Sequence, residues 1–130
     1  MFHIMSDFPD DVLAVRATGK VSAQDYNAIL VPAVEARLKA GHRPLKVLIH
    51  MGEDFEGYQA GAMVEDARLG FQHLKEWGRI AVVTDVAWIR DMTNLFRVFL
   101  KQPVKVFFNA DFAQAKTWIS QDDAKVQAAE

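Results

Sequence analysis

Residues 79–100, RIAVVTDVAWIRDMTNLFRVFL, are the stretch that decides the fold. Its first apolar run, residues 80–83, is rich in β-branched side chains and predicts a strand covered on both faces, as in parallel sheets. Thr84 and Asp85 predict a turn into a helix over residues 86–101, and the Asp85 carboxylate is placed to cap that helix. A strand that leads directly into a helix is the repeating unit of α/β folds.

Apolar runs on either side of this unit predict four more strands. Residues 2–5 and 12–18 are expected to pair as an antiparallel hairpin. Residues 45–51 and 104–108 are continuous apolar runs and predict two further buried strands. Residues 52–57, which follow the strand at residues 45–51, are acidic and contain glycine, so we expect a loop there before the next helix.

Three more helices are predicted between and after the strands. The first covers residues 22–40, with Ser22 at its start, and Pro32 inside it predicts either a kink or two consecutive helices. The second covers residues 59–76 and is stopped by Gly78, and the last begins near Asp111. The second helix has an expected buried face of Ala60, Met63, Val64, Ala67, Phe71 and Leu74.

The resulting order, β-β-α-β-α-β-α-β-α, defines the expected architecture. Strict alternation of strands and helices after the hairpin predicts a mixed, mostly parallel five-stranded sheet with four helices. The chain has 130 residues, which fits a single α/β domain. We place that domain at residues 1–120, followed by a polar, aperiodic tail at residues 121–130.

Composition and charge exclude several classes of function. A net charge of −2 without a basic cluster argues against a nucleic-acid partner. Cysteine is absent, so disulfides, thiolate metal sites and a cysteine nucleophile are excluded. The N-terminus lacks the pattern of a secretion signal, and no apolar run has the roughly 20 residues needed to span a bilayer. We therefore expect a cytoplasmic protein.

No constellation of residues predicts catalysis, a metal site or a cofactor. The four histidines, His3, His42, His50 and His73, form no pair at helical spacing and no cluster with acidic residues. The glycines are scattered, so no phosphate loop is predicted. The serines lie in a turn, a helix start and a helix end, without the sharp elbow that a hydrolase needs. We expect a protein that is not an enzyme.

The carboxyl ends of the strands are the best positional candidate for a ligand site. His50 and Asp85 end neighbouring strands, and Phe55 follows on the same edge, where ligands of parallel sheets usually bind. The structural alternative is that Asp85 only caps the helix and that His50 is a buried strand end. A His50–Asp85 pair would be the site of an enzyme, provided that the two side chains lie within hydrogen-bonding reach.

The helix over residues 86–101 is a second candidate. Its apolar residues, which include Trp88, Phe96 and Phe99, cover an arc of about 140°, wider than a minimal core stripe. Three basic residues share its polar side, as in a helix that rests on a lipid surface or closes over a pocket. The alternative is that the arc belongs to the core.

On the preceding helix, Asp66 and His73 share one flank, which is either solvated or part of a ligand groove.

Together these segments resemble the SpoIIAA-like family. That family has a fold similar to STAS domains and has also been likened to CRAL-TRIO lipid-binding domains. The resemblance covers residues 2–120. It is carried by Gly19-Lys20, Asp25-Tyr26, Pro32-Ala33-Val34-Glu35, Phe55-Glu56-Gly57, Glu65-Asp66, His73, Arg79-Ile80-Ala81-Val82-Val83-Thr84-Asp85, Trp88, Val106-Phe107, Ala115 and Trp118.

The resemblance implies a non-catalytic binding module. Its ligand would be a lipid or other apolar small molecule, with peripheral membrane contact, and the alternative is a STAS-type protein–protein regulatory module. Anti-anti-sigma STAS proteins carry a phosphorylatable Ser or Thr near the helix after the third strand, but residues 51–59, MGEDFEGYQ, contain neither. A homodimer is the commonest symmetric assembly. The expected ligand-binding residues are His50, Phe55, Asp85, Trp88, Phe96 and Phe99.

Overall fold

Five strands form one sheet in the computed structural model, which describes residues 1–121. They lie side by side in chain order, β1 (Phe2–Ile4), β2 (Val12–Val21), β3 (Leu45–Tyr58), β4 (Trp77–Thr84) and β5 (Val104–Phe107). The first pair is antiparallel, and all the others are parallel. The mixed, mostly parallel sheet predicted from the sequence is therefore confirmed. The predicted tail falls almost wholly on residues 122–130, outside the described residues.

The helices connect the strands in the predicted order. They are α1 (Ala23–Asp25), α2 (Val31–Lys39), α3 (Ala60–Gln72), α4 (Ala87–Phe96) and α5 (Phe112–Ser120). A π-helical stretch, Tyr26–Leu30, joins α1 to α2, so residues 23–39 form one continuous helix. Pro32 lies at the start of α2, directly after this stretch. Ser22 caps the helix reciprocally with Asp25, as a capping box does.

The helices are divided unequally between the two faces of the sheet. Each of the three helical connections between parallel neighbours is a crossover of the same hand, and because the strands follow in sequence, all three lie on one face. Side chains such as Tyr26, Leu69 and Ile89 bury against that face. Of the helices in residues 1–121, only α5 covers the opposite face, where Ala115 and Ile119 pack on the central strands. No helix among the described residues is long and apolar enough to cross a membrane.

Strand β3 is much longer than predicted. It has 14 residues, and the acidic segment 52–57, expected as a loop, continues the strand and pairs with β2 as far as Val21 opposite Tyr58. The pairing becomes irregular between Ala17 and Lys20, where Gly19 has a φ of 62°, which glycine adopts without strain. The prediction of a loop was wrong because the available ladder of β2 outweighs the turn-forming composition.

Helix α3 is shorter than predicted, and its expected core face is mostly exposed. It ends at Gln72, and its buried residues are Ala62 and Leu69. Of the stripe predicted to be core, Val64 is 58% exposed and Phe71 is 62% exposed. The 3.6-residue period correctly located an apolar stripe, but the described part of the chain supplies no element to cover it. Gly78, predicted to stop this helix, instead lies inside β4.

The turn before α4 also differs from the prediction. The Val86 N–H donates to the Thr84 hydroxyl at 3.1 Å, and the first residues of α4 receive no side-chain cap. The Asp85 carboxylate instead accepts from the Asn109 N–H at 2.9 Å and so ties the ends of β4 and β5 together. The helix gives way to a 3-10 turn, Arg97–Phe99, so it is shorter than the predicted span of residues 86–101. The assignment of Asp85 as a helix cap was therefore wrong.

Candidate functional site

An apolar cleft opens between α3 and α4 above the middle of the sheet. Its volume is about 320 Å³, within the range of small-molecule pockets. Its floor is made by β3 and β4, where Ile49 and Ile80 remain only half-buried. Residues at the centre of a parallel sheet are normally fully covered, so the two helices leave a gap that packing alone does not explain.

The walls of the cleft are lined by large apolar side chains that solvent reaches. On the α4 side, Phe96 is 44% and Phe99 is 65% exposed, and on the α3 side Phe71 is 62% exposed. Soluble proteins rarely leave such a contiguous apolar surface without a binding role. The principal wall residues are Met63, Ala67, Gly70, Phe71 and Leu74 on one side and Trp88, Met92, Phe96 and Phe99 on the other.

Three polar side chains, those of Tyr26, Tyr58 and Asp66, form a polar cluster at the cleft wall, toward the start of α3 and α4. The Tyr26 hydroxyl donates to the Asp66 carboxylate at 2.7 Å. The Tyr58 ring lies 6.4 Å from the Tyr26 ring and 6.3 Å from the Trp88 ring, measured between centroids. The Tyr58 hydroxyl donates to the Met51 sulfur at 3.7 Å, which is a weak acceptor. The cleft is therefore amphipathic, with polar groups concentrated on one part of an apolar wall.

The electrostatics of this cluster favour protonated groups. Solvent reaches Asp66 through the open cleft, but protein surrounds its carboxyl on most sides, and this desolvation raises its pKa, against the opposing effect of the Tyr26 hydrogen bond. Burial and the neighbouring Asp66 also raise the pKa of Tyr26 and of Tyr58. Among residues 1–121, no ion pair joins Asp66 to a basic side chain.

The substitution Asp66→Asn is expected to change how stability depends on pH. The pKa of Asp66 is raised in the folded state, so the folded protein holds the proton of this carboxyl more tightly than the unfolded chain does. The resulting contribution to the free energy of unfolding is present at acid pH and is lost as the pH rises through the folded pKa. The free energy of unfolding of the variant, relative to the native protein, should therefore increase from about pH 4 to about pH 8. Urea unfolding at both pH values measures this difference, and a pH-independent difference would contradict it.

Half of the ligand-binding residues predicted from the sequence lie at the cleft. Trp88, Phe96 and Phe99 line it. Phe55 packs beside it, with its ring 5.4 Å from the ring of Tyr58. The assignment of these residues to a ligand stays a prediction, but the structure brings them to one side of the sheet.

The other two predicted residues lie elsewhere. His50 faces the α5 side, where its ring is 4.8 Å from the Phe112 ring, and Asp85 binds the backbone of Asn109. Burial lowers the pKa of His50, and the neighbouring Asn109 side chain opposes this shift. Neither residue lines the cleft, and no hydrogen bond between them occurs within the described chain. Residues 1–121 likewise contain no group of three metal-ligating side chains.

The polar cluster was not predicted from the sequence, although Tyr26 and Asp66 are among the residues that carry the family resemblance. The flank with Asp66 and His73 was expected to be either solvated or part of a ligand groove, and Tyr58 was not among the expected ligand-binding residues. The usable signal was the position of Asp66, three residues after Met63 and four before Gly70, which places a carboxyl within the apolar stripe. A charged residue inside an apolar helical face is a stronger indication of a site than the same residue on a polar face.

Comparison with known proteins agrees with this architecture. A model of the SpoIIAA-like family matches residues 12–120. The chain is also similar to the crystal structure of an uncharacterized protein with a SpoIIAA-like fold from Shewanella loihica, with a TM-score of 0.73 and 26% sequence identity. That similarity covers 91% of this chain and 93% of the other. Among proteins of curated function, none matches the chain.

Proposed function

The chain belongs to the SpoIIAA-like family, and we propose that it is a non-catalytic binding module for a lipid or other apolar small molecule. The cleft between α3 and α4 is the binding site in this proposal. STAS-like domains of this kind are generally non-catalytic, and their surfaces act by binding. The Shewanella loihica protein with the same fold is itself uncharacterized, so the support for the proposal comes from the residues of this chain that line the cleft.

The observation that carries the proposal is the uncovered apolar cleft. Its lining residues come from both helices and from the strands beneath, so an apolar molecule seated there would contact three elements at once. Burial of apolar surface stabilises binding by roughly 25 cal/mol per Å² before the costs of association. An apolar ligand would cover side chains, such as Phe71 and Phe99, that otherwise face water.

The same region supplies a surface for peripheral membrane contact. Leu95 is 62% and Val98 is 72% exposed, and neither lines the cleft. The exposed basic residues Arg97 and Lys101 lie within a few positions of them. Apolar side chains beside basic ones favour the interface of an anionic bilayer, and contact there would place the cleft next to its source of ligand.

Replacing Phe96 and Phe99 with Ser should weaken both properties. The double variant removes two aromatic rings from the cleft wall, so it should bind the apolar dye phenylnaphthylamine several-fold more weakly and should no longer float with liposomes of anionic lipid. Fluorescence titration measures the first effect and flotation the second. Phe108→Ser is the matched control, because Phe108 is 52% exposed but lies outside the cleft.

Native mass spectrometry of the purified protein provides the direct test. A co-purifying apolar molecule would support the proposal. A clean apo mass, no dye binding and no flotation would contradict it and would favour the alternative, a STAS-type protein–protein regulatory module. The exposed apolar residues Val64, Leu95 and Val98 outside the cleft are the observation that favours that alternative. Such a module would lack the usual switch, since no Ser or Thr occurs in residues 51–59 before α3.

A further inference from the structure

We infer that the cleft selects an amphiphile with a cationic amino group at its polar end, with Asp66 as the counter-ion. This inference rests on the proposed function and specifies its ligand class. Three observations support it: the carboxyl on the cleft wall, the aromatic rings near that carboxyl and the arrangement of charge along the cleft.

The Asp66 carboxyl is the first observation. Within the described part of the chain it is held by a single hydrogen bond, from the Tyr26 hydroxyl to Oδ1 at 2.7 Å, and it lines the cleft. A carboxylate accepts several hydrogen bonds, so one Tyr donor leaves most of its capacity for a ligand. An apolar ligand that fills the cleft would exclude water from this carboxyl, and a charged group without water is costly unless a counter-ion is supplied. An ammonium group entering the cleft would supply that counter-ion and would form charge-assisted hydrogen bonds.

The aromatic rings are the second observation. Tyr26, Tyr58 and Trp88 form a chain of rings with centroid separations of 6.4 Å and 6.3 Å. Aromatic faces attract cations, and a carboxylate combined with several such rings is a common arrangement for binding ammonium groups. Tyr58 lines the cleft and lies close enough to Asp66 for that carboxyl to raise its pKa, so a cation beside Asp66 would also lie near the Tyr58 ring, with Trp88 as the next ring along the cleft.

The distribution of charge along the cleft is the third observation. The titratable residues that line it are Tyr58, Asp66 and Arg97. Arg97 is exposed and lies beyond α4 in the 3-10 turn, and within residues 1–121 it forms no ion pair with Asp66. A carboxylate or phosphate ligand placed at the polar cluster would oppose ionisation of Asp66 and raise its pKa further, whereas an ammonium group would favour the ionised carboxylate. An anionic ligand would have to bind at Arg97 instead, with its polar group at the exposed surface.

Displacement of phenylnaphthylamine by three ligands of equal chain length tests the inference. Decylamine, decanol and decanoate differ only in their polar group, and their affinities are compared at neutral pH and fixed ionic strength. We expect decylamine to bind roughly tenfold more tightly than decanol, a typical gain for a charge-assisted hydrogen bond, and decanoate to bind most weakly. Decanoate binding as tightly as decylamine would overturn the inference and would point to Arg97.

The variant Asp66→Asn assigns the preference to its residue. It keeps the shape of the side chain and removes its charge, so the affinities for decylamine and decanol should differ by less than about twofold. Asp91→Asn is the matched control, because Asp91 is an exposed carboxyl of α4 outside the cleft, and it should keep the native preference. A preference that survives Asp66→Asn would overturn the inference.

The outcomes separate the inference from the proposed function. If the dye binds and all three ligands displace it equally, the apolar site stands and the selectivity for amines is wrong. If neither the dye nor any ligand binds, the proposed function itself is wrong. The ranking of the three ligands on the native protein decides the selectivity even if Asp66→Asn does not fold.

Discussion

The substitution Ala67→Trp should weaken the binding of apolar ligands by roughly tenfold or more, because the indole would occupy the cleft. Ala67 lies on the wall that α3 contributes, and its side chain is exposed to the cleft rather than packed in the core. A larger side chain at this position therefore fills the empty volume without displacing buried groups. Titration with phenylnaphthylamine measures the effect.

Ala36→Trp is the matched control for this experiment. Ala36 is an exposed alanine of α2 and does not line the cleft, so the same substitution there should leave dye binding unchanged. Thermal unfolding of both variants establishes that they are folded. If the protein with Ala67→Trp binds the dye as tightly as the native protein, the dye and the apolar ligands bind elsewhere.

The substitution Leu48→Ala should lower the free energy of unfolding by about 2–5 kcal/mol. Leu48 is fully buried on the face that only α5 covers. Its neighbours there include Ala14, Ala81 and Ala115, whose small side chains cannot extend to fill the space that a shortened Leu48 would leave. Denaturant unfolding monitored by circular dichroism measures the loss.

Leu95→Ala is the matched control for stability. Leu95 is 62% exposed on α4, so removing the same atoms there should change the free energy of unfolding by no more than about 0.5 kcal/mol. Equal losses for the two substitutions would mean that α4 is covered in solution, and they would contradict the placement of Leu95 on an open surface.

The sheet could be predicted because its strands are continuous apolar runs. The apolar run of β4, which includes Ile80, Val82 and Val83, is typical of a strand covered on both faces, as in a parallel sheet with helices on each side. The alternation with helices then indicated that most of these strands are parallel. The extension of β3 to Tyr58 could not be predicted, because it depends on the length of β2, a partner distant in sequence.

The cleft could be predicted only in part. Periodicity located the apolar faces of α3 and α4, and the apolar arc of α4 was wider than a minimal core stripe, but the sequence left open whether that arc belonged to the core or to a binding surface. The spacing between α3 and α4 is set by side chains that are far apart in sequence, so the gap above Ile49 and Ile80 could not be predicted from the sequence. The hydrogen bond between Tyr26 and Asp66 could not be predicted either, because it joins two helices whose residues are far apart in sequence.

The π-helical stretch makes the polar cluster sensitive to insertions and deletions. The Val31 N–H donates to the Tyr26 carbonyl five residues before it, so this stretch accommodates one more residue than an α-helical turn would. Losing one residue from it would rotate the preceding part of the helix by about 100° relative to α2. Tyr26 would then turn away from Asp66 while Leu30 and Val34 stayed buried. A relative of this chain that has lost one residue there would keep the fold and lose the polar cluster.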